Sequence, residues 1–405
     1  TKHIYLYLRN QLHKTYIMNR IILKTLSLSL WVFNLLGCKG FQKTNNKEVS
    51  DIPIIDSIET DEVKEYIDDN TKSWHAVYLD DSSIDAMVGE IRGVMCDDSL
   101  LFVAHMLNDS WEETLIYVYN TEGRFLRSIF NRGRAHNEIL YMGDWTINPI
   151  DNEVLVVDKF NELLKRYDYN GNFIGSYQLD GSLIPLSNIF VLDSSNFLFQ
   201  MMMLDKPSDD YILYSIDGTT KPLFKRRKIY TKESYYGALY YCHDITSTNS
   251  YYFSRYFDNK IYKMDSLGNV EIFLELGFIT PYKNKYLAPL DEDSDYFWPY
   301  INDLYDLKDY ILIITKDFGR FIINKETKEI KRYTAKGYDS ANMKTPLGIK
   351  IVGLHQNFVI EYTDKINAGN HLDYITDEYQ PDVASFYKKA AANENATLVF
   401  YDIGK

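Results

Sequence analysis

The sequence predicts an all-β fold, a six-bladed β-propeller of four-stranded antiparallel blades. The main observation is a recurrence of six short apolar runs, each preceded by a turn-rich stretch, at Leu100–Ala104, Val154–Val157, Phe197–Gln200, Tyr251–Ser254, Tyr310–Ile314 and Phe358–Glu361. After each of the first five runs comes a second strand-like run that closes in a tight polar turn. The composition agrees, because 45% of the 405 residues are hydrophobic and the 35 tyrosines suit pleated, half-buried surfaces.

The second unit shows the four strands of a blade most clearly. Met142–Ile147 is its first strand, Val154–Val157 its second, Leu163–Tyr169 its third and Phe173–Tyr177 its fourth. Asn170-Gly171, between the third and fourth strands, is a strong hairpin signal. Equivalent turns are predicted in four other units, at Glu122-Gly123, Asp217-Gly218, Leu267-Gly268 and Lys325–Lys328. In chain order, the turn glycines Gly123, Gly171, Gly218 and Gly268 are 48, 47 and 50 residues apart. This spacing fits blades of roughly 40–50 residues.

The sixth unit lacks a fourth strand of its own. Leu347–Val352 and Phe358–Glu361 supply its first two strands, and Thr397–Tyr401 returns as the third after an insertion at 362–394. His75–Leu79, from the beginning of the domain, is the candidate for the fourth. We therefore expect the ring to be closed by N- and C-terminal strands in the last blade, which removes exposed sheet edges. One helix, Asp382–Ala392, is predicted within the insertion.

The amino-terminal region has the pattern of a secretory signal. A basic stretch starts at Met18, an apolar run covers Thr25–Leu36, and Gly37-Cys38 follows. The Leu35–Cys38 ending resembles a bacterial lipobox, which implies lipidation of Cys38 at the mature amino terminus. The alternative is a short membrane anchor, although Ile21–Leu36 is brief for crossing about 30 Å of hydrocarbon. The predicted organisation is upstream non-native sequence at 1–17, a lipoprotein signal peptide at 18–37, a flexible tether at 38–72 and the propeller at 73–405.

The net charge limits the classes of partner, and the cysteine content indicates how the domain is stabilised. The formal net charge is −13, and removal of residues 1–37, which carry only basic charges, makes the chain more acidic still. Such acidity argues against nucleic acid and anionic lipid surfaces as partners. Cys96 and Cys242 fall about three blades apart in the repeat, too far for a disulfide, so burial of a core must hold the domain together. A monomer is expected.

Three segments carry a family resemblance. Asn131–Glu138, Val154–Asp158 and Arg166–Phe173 together resemble the NHL-type repeat. Residues 38–405 as a whole are similar to the six-bladed β-propeller lipoproteins common in Bacteroides-type gut bacteria, with an NHL/TolB-like propeller. The resemblance implies the fold and a place in the cell envelope, as an outer-membrane lipoprotein that faces the periplasm or the surface. It implies no activity.

The first inter-blade loop departs from the pattern of that family, which usually reads Gly-Arg-Gly-Pro-Gly-Glu. This chain keeps Gly133, Arg134 and Glu138 and has Ala135-His136-Asn137 in place of the middle residues. The cluster Arg132, Arg134, His136 and Glu138 suggests a binding site, because two guanidiniums can hold a carboxylate, a sulfate or a uronic acid. Alternatively, Arg134 and Glu138 fix the loop to a neighbouring blade.

Loop lengths indicate which face of the domain binds. We use the term long-loop face for the face that carries two kinds of loop: those between second and third strands, and those that join units. These loops are long and irregular: His105–Thr114, Phe130–Tyr141, Met201–Asp210, Arg227–Leu239, Leu276–Trp298, Thr334–Pro346 and 362–394. Long loops on a rigid scaffold usually carry recognition, so a site is expected here, near the mouth of the central channel.

Further candidates lie on the same face. Three charged residues precede a phenylalanine by two positions and suggest a ring of charges at the channel mouth, or alternatively turn caps: Asp158, Arg255 and Lys316. Trp111 and Trp298 are candidates for stacking on sugar rings. Asp158 and Asp244 are the metal candidates, and Asp144, Asn188, Asn302 and Asp303 are further oxygen donors for a calcium ion in the channel.

No recognised catalytic motif occurs in the sequence, so no catalytic residue is predicted. The expected function is a lipid-anchored, non-catalytic module that binds a glycan, a peptide or another envelope protein, with the membrane as partner through Cys38. The alternative is a metal-dependent hydrolase or lactonase with an ion, such as calcium, in the central channel. No other cofactor is predicted.

Overall fold

The computed structural model describes residues 54–55, 73–97, 99–107, 113–184, 186–201, 209–224, 240–243, 250–255, 259–277, 301–315, 319–333, 350–372, 375 and 381–403. This part of the chain is all-β, with several four-stranded antiparallel sheets and two α-helices. The predicted signal peptide and Cys38 lie outside it. Neither α-helix among these residues is long and apolar enough to cross a membrane.

The strands of the first three units follow β1, of two residues, and β2, of six residues. In chain order they are β1 (Ile54–Ile55), β2 (Ser73–Tyr78), β3 (Ile91–Asp97), β4 (Leu100–Met106), β5 (Thr114–Asn120), β6 (Phe125–Ser128), β7 (Met142–Asn148), β8 (Glu153–Asp158), β9 (Leu163–Asp168), β10 (Phe173–Gln178), β11 (Leu186–Val191), β12 (Asn196–Met201), β13 (Tyr211–Ser215) and β14 (Thr220–Pro222).

The last three units contain the remaining strands and both helices. They are β15 (Tyr240–His243), β16 (Ser250–Ser254), β17 (Lys260–Asp265), β18 (Val270–Leu276), β19 (Ile301–Asp306), β20 (Tyr310–Thr315), β21 (Gly319–Asn324), β22 (Ile330–Tyr333), β23 (Lys350–His355), β24 (Phe358–Thr363), α1 (Lys365–Leu372), α2 (Pro381–Ala392) and β25 (Thr397–Asp402).

Each of the six predicted apolar runs lies in a strand, namely β4, β8, β12, β16, β20 and β24. Units two and three form four-stranded antiparallel sheets in chain order, as expected of propeller blades. The predicted hairpin turns are present, and the four turn glycines have a left-handed φ between +76° and +86°. That conformation is open to glycine at little cost, so the turn residues in the sequence fix these hairpins.

The two ends of the domain meet in one sheet. β2 pairs antiparallel with β25, from Ser73 opposite Asp402 to Tyr78 opposite Thr397. The expected pairing of the terminal strands is therefore confirmed. The sheet continues into unit one, because Gly353 of β23 pairs in parallel with Val94 of β3, and eight strands are joined in the order β2-β25-β24-β23-β3-β4-β5-β6.

Unit four differs from the expected four-strand pattern. β15 pairs in parallel with β19 of unit five, which gives a five-stranded sheet, and does not pair with β16. The fourth sheet has the order β1-β18-β17-β16, with Ile54–Ile55 from the expected tether in parallel on β18. The sequence does not determine whether β15 pairs with β16 or with β19, because a short apolar run can pair with either neighbouring strand.

Buried side chains pack between consecutive units. One cluster joins units one and two, with Phe102 and Ile116 against Trp145 and Val156. Strand side chains alternate between two faces, so each sheet can pack against both of its neighbours. The predicted helix is found as α2, and its Phe386 contacts Trp74 of β2 edge to face, with 5.7 Å between ring centroids. α1 was not predicted.

Candidate functional site

The first strands of five units share a β-bulge near their amino-terminal ends. The register shifts between Ile91 and Gly93, Met142 and Trp145, Leu186 and Asn188, Ile301 and Asp303, and Ile351 and Gly353. A bulge redirects a side chain and interrupts pairing, and bulges are enriched beside functional sites. Each first strand begins at a loop that joins two units, so the five bulges lie toward the long-loop face.

The residues at these bulges are mostly polar. Arg92 occupies the bulge of β3, Gly143-Asp144 that of β7 and Ser187 that of β11. In β19 the strand resumes pairing at Asp303, while β23 carries Val352. Four of the five first strands thus carry a charged or polar residue at or next to the bulge.

Asp144 lies at the bulge of β7, and its side chain is partly buried. The backbone N–H groups of Trp145, in β7, and Ile189, in β11, favour its charged form and so act to lower its pKa. Burial raises the pKa of Asp144 to about 7, although the positive charges of Arg92 and Lys159 act in the opposite direction. Asp144 is therefore a carboxyl group whose charge can change near neutral pH.

Gly143 lets Lys159 lie across the bulge beside Asp144. A Cβ at Gly143 would be 2.9 Å from Cε of Lys159, closer than real Cβ atoms come, and 3.0 Å from its Cγ, a tight contact. The absence of a side chain at this position therefore leaves room for the lysine stem. The Lys159 side chain is exposed, so its charge is available on the long-loop side.

The side chain of Arg92 is hydrogen-bonded to another residue of unit one. Its Nη1 donates a hydrogen bond of 3.1 Å to Oγ1 of Thr114, the first residue of β5. The next residue, Gly93, faces the indole of Trp145, and a Cβ there would lie 3.7 Å from Cζ2. The first strands of units one and two thus approach closely where Arg92 and Asp144 stand.

Unit three contributes a pair of amides next to this cluster. Asn188 Nδ2 donates to Gln200 Oε1 over 2.5 Å, across the β11–β12 ladder. Gln200 is fully buried, and its Nε2 has no hydrogen-bond partner among the described residues. The amide of Gln200 can be oriented either way, and each choice leaves one of its polar atoms without a described partner.

Asp303 of unit five is a second carboxyl with a shifted pKa. Burial raises its pKa to about 6, and the charge of Arg320 opposes the shift. Its Cα pairs with Tyr240 of β15. Asp144 and Asp303 therefore occupy corresponding ends of two first strands, and burial raises the pKa of both.

The predicted cluster on the first inter-unit loop is engaged mainly with neighbouring protein groups. Arg132 pairs with Glu113 at 2.7 Å, and the carboxylate of Glu138 accepts a 2.9 Å hydrogen bond from the backbone N–H of Ala135. Arg134 lies over the ring of Phe160 at 5.7 Å. His136, which is exposed, contacts Phe173 edge to face at 5.4 Å.

Asp158 and Arg255, two of the predicted charges at the channel mouth, each form an ion pair, buried for Asp158 and partly buried for Arg255. The Asp158 carboxylate lies 2.8 Å from Lys165 Nζ, and the two side chains are 0% and 1% exposed. Asp158 also accepts hydrogen bonds from the backbone N–H groups of Phe160 and Asn161, so it caps the turn. Arg255 lies 3.1 Å from Asp210.

The remaining predicted site residues, Lys316, Trp111, Trp298 and Asp244, lie outside the described residues, as do Cys38 and the side chain of Asn302. Of the two metal candidates, Asp158 is thus the one whose position is described. No group of three or more His, Cys, Asp or Glu side chains arranged to hold a metal occurs within the described segments.

Sequence reasoning named Asp144, Asn188 and Asp303 as oxygen donors but missed Arg92, Lys159 and Gln200. A weak signal was present in β3 and β7. In each, a charged residue stands beside glycine in a run that otherwise reads as buried strand, a pattern that marks bulges.

The sequence matches one protein family over most of its length. Residues 49–402 match the model of a family described as a domain of unknown function, DUF4934. No curated protein matches the chain. A crystal structure of a Bacteroides fragilis protein described as exported has a TM-score of 0.61 at 14% identity, covering 82% of this chain and 95% of that one. This similarity concerns the fold.

Two other solved structures show weaker similarity. A member of the DUF4221 family from Bacteroides vulgatus has a TM-score of 0.48 at 12% identity, covering 82% of this chain and 96% of its own. A catalytically inactive virginiamycin B lyase from Staphylococcus aureus, with quinupristin, has a TM-score of 0.41 at 13% identity, covering 74% and 83%.

Proposed function

We propose that this chain, which belongs to the DUF4934 family, is a non-catalytic binding module of the cell envelope that takes its ligand at the long-loop end of its first strands. The observation that carries the proposal is the recurrence of a bulge at the same end of five first strands. A single bulge could result from the geometry of one loop. Bulges at equivalent positions in five units support a binding site at this end of the first strands.

The proposal includes a closed six-bladed ring. Two contacts of the same kind support it. A Cβ on Gly171, in the hairpin of unit two, would lie 2.9 Å from the carbonyl oxygen of Ser128, at the end of the outer strand of unit one. Gly123, in the hairpin of unit one, approaches the carbonyl oxygen of Tyr78 in the same way. β2 therefore meets unit one as β6 meets unit two, which is the relation a closed wheel requires.

In such a ring, units two and five stand opposite each other, so Asp144 and Asp303 would face across the opening. Arg92 and Asn188 would flank Asp144 on the neighbouring first strands. Polar groups on rigid strands, with long loops around them, are the usual construction of a recognition site. The sequence predicted a ring of charges from Asp158, Arg255 and Lys316; this proposal instead assigns the charges at the channel mouth to first-strand residues, Arg92, Asp144 and Asp303.

The cell-envelope location and the anchor are part of the same proposal. The lipobox-like Leu35–Cys38 supports lipidation at Cys38, and the acidic net charge of −13 disfavours nucleic acid as a ligand. A glycan, a peptide or another envelope protein is the proposed partner, and the module is proposed to act as a monomer.

A ligand panel tests the proposed function. The purified chain is screened by thermal shift against defined oligosaccharides and short peptides, and each hit is repeated with Asp303→Asn and Arg92→Gln. We expect a ligand that stabilises the native chain, does so less in both variants, and is recovered chemically unchanged after prolonged incubation. A ligand that is converted to product would show an enzyme, and a hit unaffected by either variant would place the site elsewhere.

The alternative function, a hydrolase with an ion in the channel, rests on the oxygen donors Asp144, Asn188 and Asp303. It predicts that calcium raises the melting temperature and that EDTA lowers it, and that Asp144→Asn and Asp303→Asn both abolish the calcium effect. A melting temperature insensitive to calcium and EDTA would remove this alternative.

A further inference from the structure

Phe160, in the loop between β8 and β9, presents its ring to solvent on the long-loop face. The residue is 54% exposed. The turn that carries it is fixed, because the carboxylate of Asp158 accepts hydrogen bonds from the backbone N–H groups of Phe160 at 3.1 Å and Asn161 at 3.3 Å. Asp158 in turn is buried against Lys165. An aromatic ring on a fixed turn can pack against a ligand without first ordering its loop.

Arg134 and Tyr141 flank this ring. The guanidinium carbon of Arg134 lies 5.7 Å from the centroid of the Phe160 ring. The ring of Tyr141, the residue before β7, is 6.2 Å from the same centroid and inclined at 60°. The backbone N–H of Lys159 donates a 3.0 Å hydrogen bond to the carbonyl oxygen of Tyr141, which ties the loop of Phe160 to the start of unit two. We call Phe160, Arg134 and Tyr141 the Phe160 platform.

Arg134 differs from the cations around it. It is exposed, and its guanidinium forms neither an ion pair nor a hydrogen bond with any residue in the described part of the chain. By contrast, Arg132 pairs with Glu113 at 2.7 Å and Lys165 pairs with Asp158 at 2.8 Å. The N–H donors of Arg134 are therefore available to the carboxylate or sulfate oxygens of a ligand.

The backbone that carries Arg134 is also fixed. The N–H of Gly133 donates a 3.1 Å hydrogen bond to the carbonyl oxygen of Ile139. The Glu138 carboxylate lies over Gly133, where an added Cβ would clash with it, and it accepts a 2.9 Å hydrogen bond from the N–H of Ala135. The nearest acid in the loop is thus bound to backbone and not to Arg134. Both loops of the platform are held in place before a ligand arrives.

We propose that the Phe160 platform binds a sugar ring that carries an anionic group, with the C–H face of the sugar on Phe160 and its carboxylate or sulfate on Arg134. The inference rests on the proposed function and names the ligand class of that site, since Tyr141 directly precedes the bulged strand β7. A sugar ring has an apolar C–H face and polar edges, which match an aromatic ring beside a guanidinium. The Tyr141 hydroxyl forms no hydrogen bond within the described segments and can bind a sugar hydroxyl.

An acidic sugar fits this surface better than a peptide does. Peptides are held in grooves or by addition to a strand, where several side chains are read together. Phe160 instead stands between two exposed polar residues, Lys159 and Asn161, and offers a single ring. In a chain with a formal net charge of −13, an anionic ligand needs a local cation, which Arg134 supplies.

Matched pairs of probes test the proposal and distinguish the two anionic groups. Trigalacturonate is compared with its methyl ester, and galactose sulfate with galactose, by ligand-observed NMR titration. Each neutral partner keeps the sugar ring and removes the charge. We expect the charged member of at least one pair to bind about tenfold more tightly than its neutral partner. This preference should decrease as the salt concentration is raised.

Variants separate the contributions of the ring and the guanidinium. Arg134→Gln should remove the preference for the charged member. Phe160→Ala should weaken both members of the pair by a similar factor, about fivefold, and Phe160→Trp should retain binding. Two controls lie in hairpins on the opposite face and should bind as the native chain does: Arg124→Gln removes an exposed arginine, and Leu267→Ala truncates a residue that is 84% exposed.

Several results would overturn this inference. They are the absence of binding by both charged probes, equal binding of charged and neutral members, a charge preference that survives in Arg134→Gln, or native affinity in Phe160→Ala. If no acidic sugar binds while another ligand of the wider panel binds in a manner that depends on Arg92 and Asp303, the proposed function stands and this inference falls. If an acidic sugar binds through Phe160 and Arg134 but independently of Arg92 and Asp303, the inference stands and the site at the first strands falls.

Discussion

Gly353 of β23 lies directly against the backbone of Val94 in β3. A Cβ added at Gly353 would be 2.2 Å from the carbonyl oxygen of Val94, and these two residues pair in parallel. The neighbour is backbone, which cannot rotate away as a side chain can. The join between units six and one therefore depends on the missing side chain at position 353.

The first prediction follows from this contact. Gly353→Ala should destabilise the domain by about 1–3 kcal/mol, because the strands must separate to admit a methyl group. The measurement is chemical denaturation followed by fluorescence. Gly369→Ala is the matched control, since a methyl group on this glycine of α1 would meet no atom within 4 Å, and alanine should stabilise the helix by about 0.5–1 kcal/mol. Equal effects of the two variants would contradict the close join.

A second prediction tests how β2 meets unit one. Gly123 and Gly218 both occupy hairpin turns with φ +86°, so alanine should cost a similar amount of backbone strain in each. At Gly123 a Cβ would also lie 2.2 Å from the carbonyl oxygen of Tyr78, while at Gly218 nothing lies within 4 Å. We expect Gly123→Ala to lower the free energy of unfolding by about 1–3 kcal/mol more than Gly218→Ala, as measured by urea denaturation. Equal losses would show that β2 does not pack against this hairpin.

Local sequence signals predicted the strands well. The second strand of every unit was located because a compact apolar run bounded by turn residues has few other interpretations. The terminal pairing also followed, since a sheet that lacks its outer strand needs one from elsewhere in the chain. The prediction of the first strand of unit six was less accurate, because Leu347–Val352 was expected and the strand is Lys350–His355.

The elements that were missed depend on tertiary contacts. α1 contains Asn367, Gly369 and Asn370, which are weak helix formers, and it forms where Ala368 is buried in the cluster shared by units five and six. The bulges were not predicted because their residues differ in type, from Arg92 to Val352. What they share is a position against the second strand, which pairing alone reveals. The candidate site depended on that register.

A third prediction concerns the ion pair behind the first inter-unit loop. Lys165 Nζ also donates a 2.5 Å hydrogen bond to the carbonyl oxygen of Glu138, so this lysine joins the loop to β9. Lys165→Met should cost about 3–5 kcal/mol, because Asp158 would remain buried without its cation. Adding Asp158→Asn should recover part of the loss, since the asparagine is neutral and its oxygen can still cap the turn.

The control for that prediction is an exposed pair. Lys365 and Glu394 form an ion pair with side chains 49% and 62% exposed. Lys365→Met should therefore change the free energy of unfolding by less than about 1 kcal/mol. Urea denaturation measures the free energy of unfolding of Lys165→Met, of Lys165→Met combined with Asp158→Asn, and of Lys365→Met. A loss for Lys165→Met as small as that of the control would show that the buried pair contributes nothing to stability.

The fourth prediction concerns acid sensitivity at His105. This residue of β4 is fully buried, its Nδ1 accepts a 3.1 Å hydrogen bond from the backbone N–H of Gly89, and burial lowers its pKa to about 4. The unfolded chain, with a histidine pKa near 6.5, binds more protons between pH 6.5 and 4. The contribution of His105 to stability is therefore highest above pH 6.5 and falls by about 3 kcal/mol as the pH decreases to 4.

Asp144 and Asp303 titrate in the opposite sense, because their raised pKa values make the folded state bind more protons in the same range. The native pH profile is thus a sum, and the difference between the native chain and His105→Gln isolates the histidine. Glutamine can accept the Gly89 hydrogen bond without taking a charge. We expect the stability difference between the two proteins to change by about 2 kcal/mol in favour of the variant from pH 7 to pH 5. His136→Gln, which removes an exposed histidine, serves as the control, and a His105→Gln difference that stays constant with pH would refute the burial of a neutral imidazole at this position.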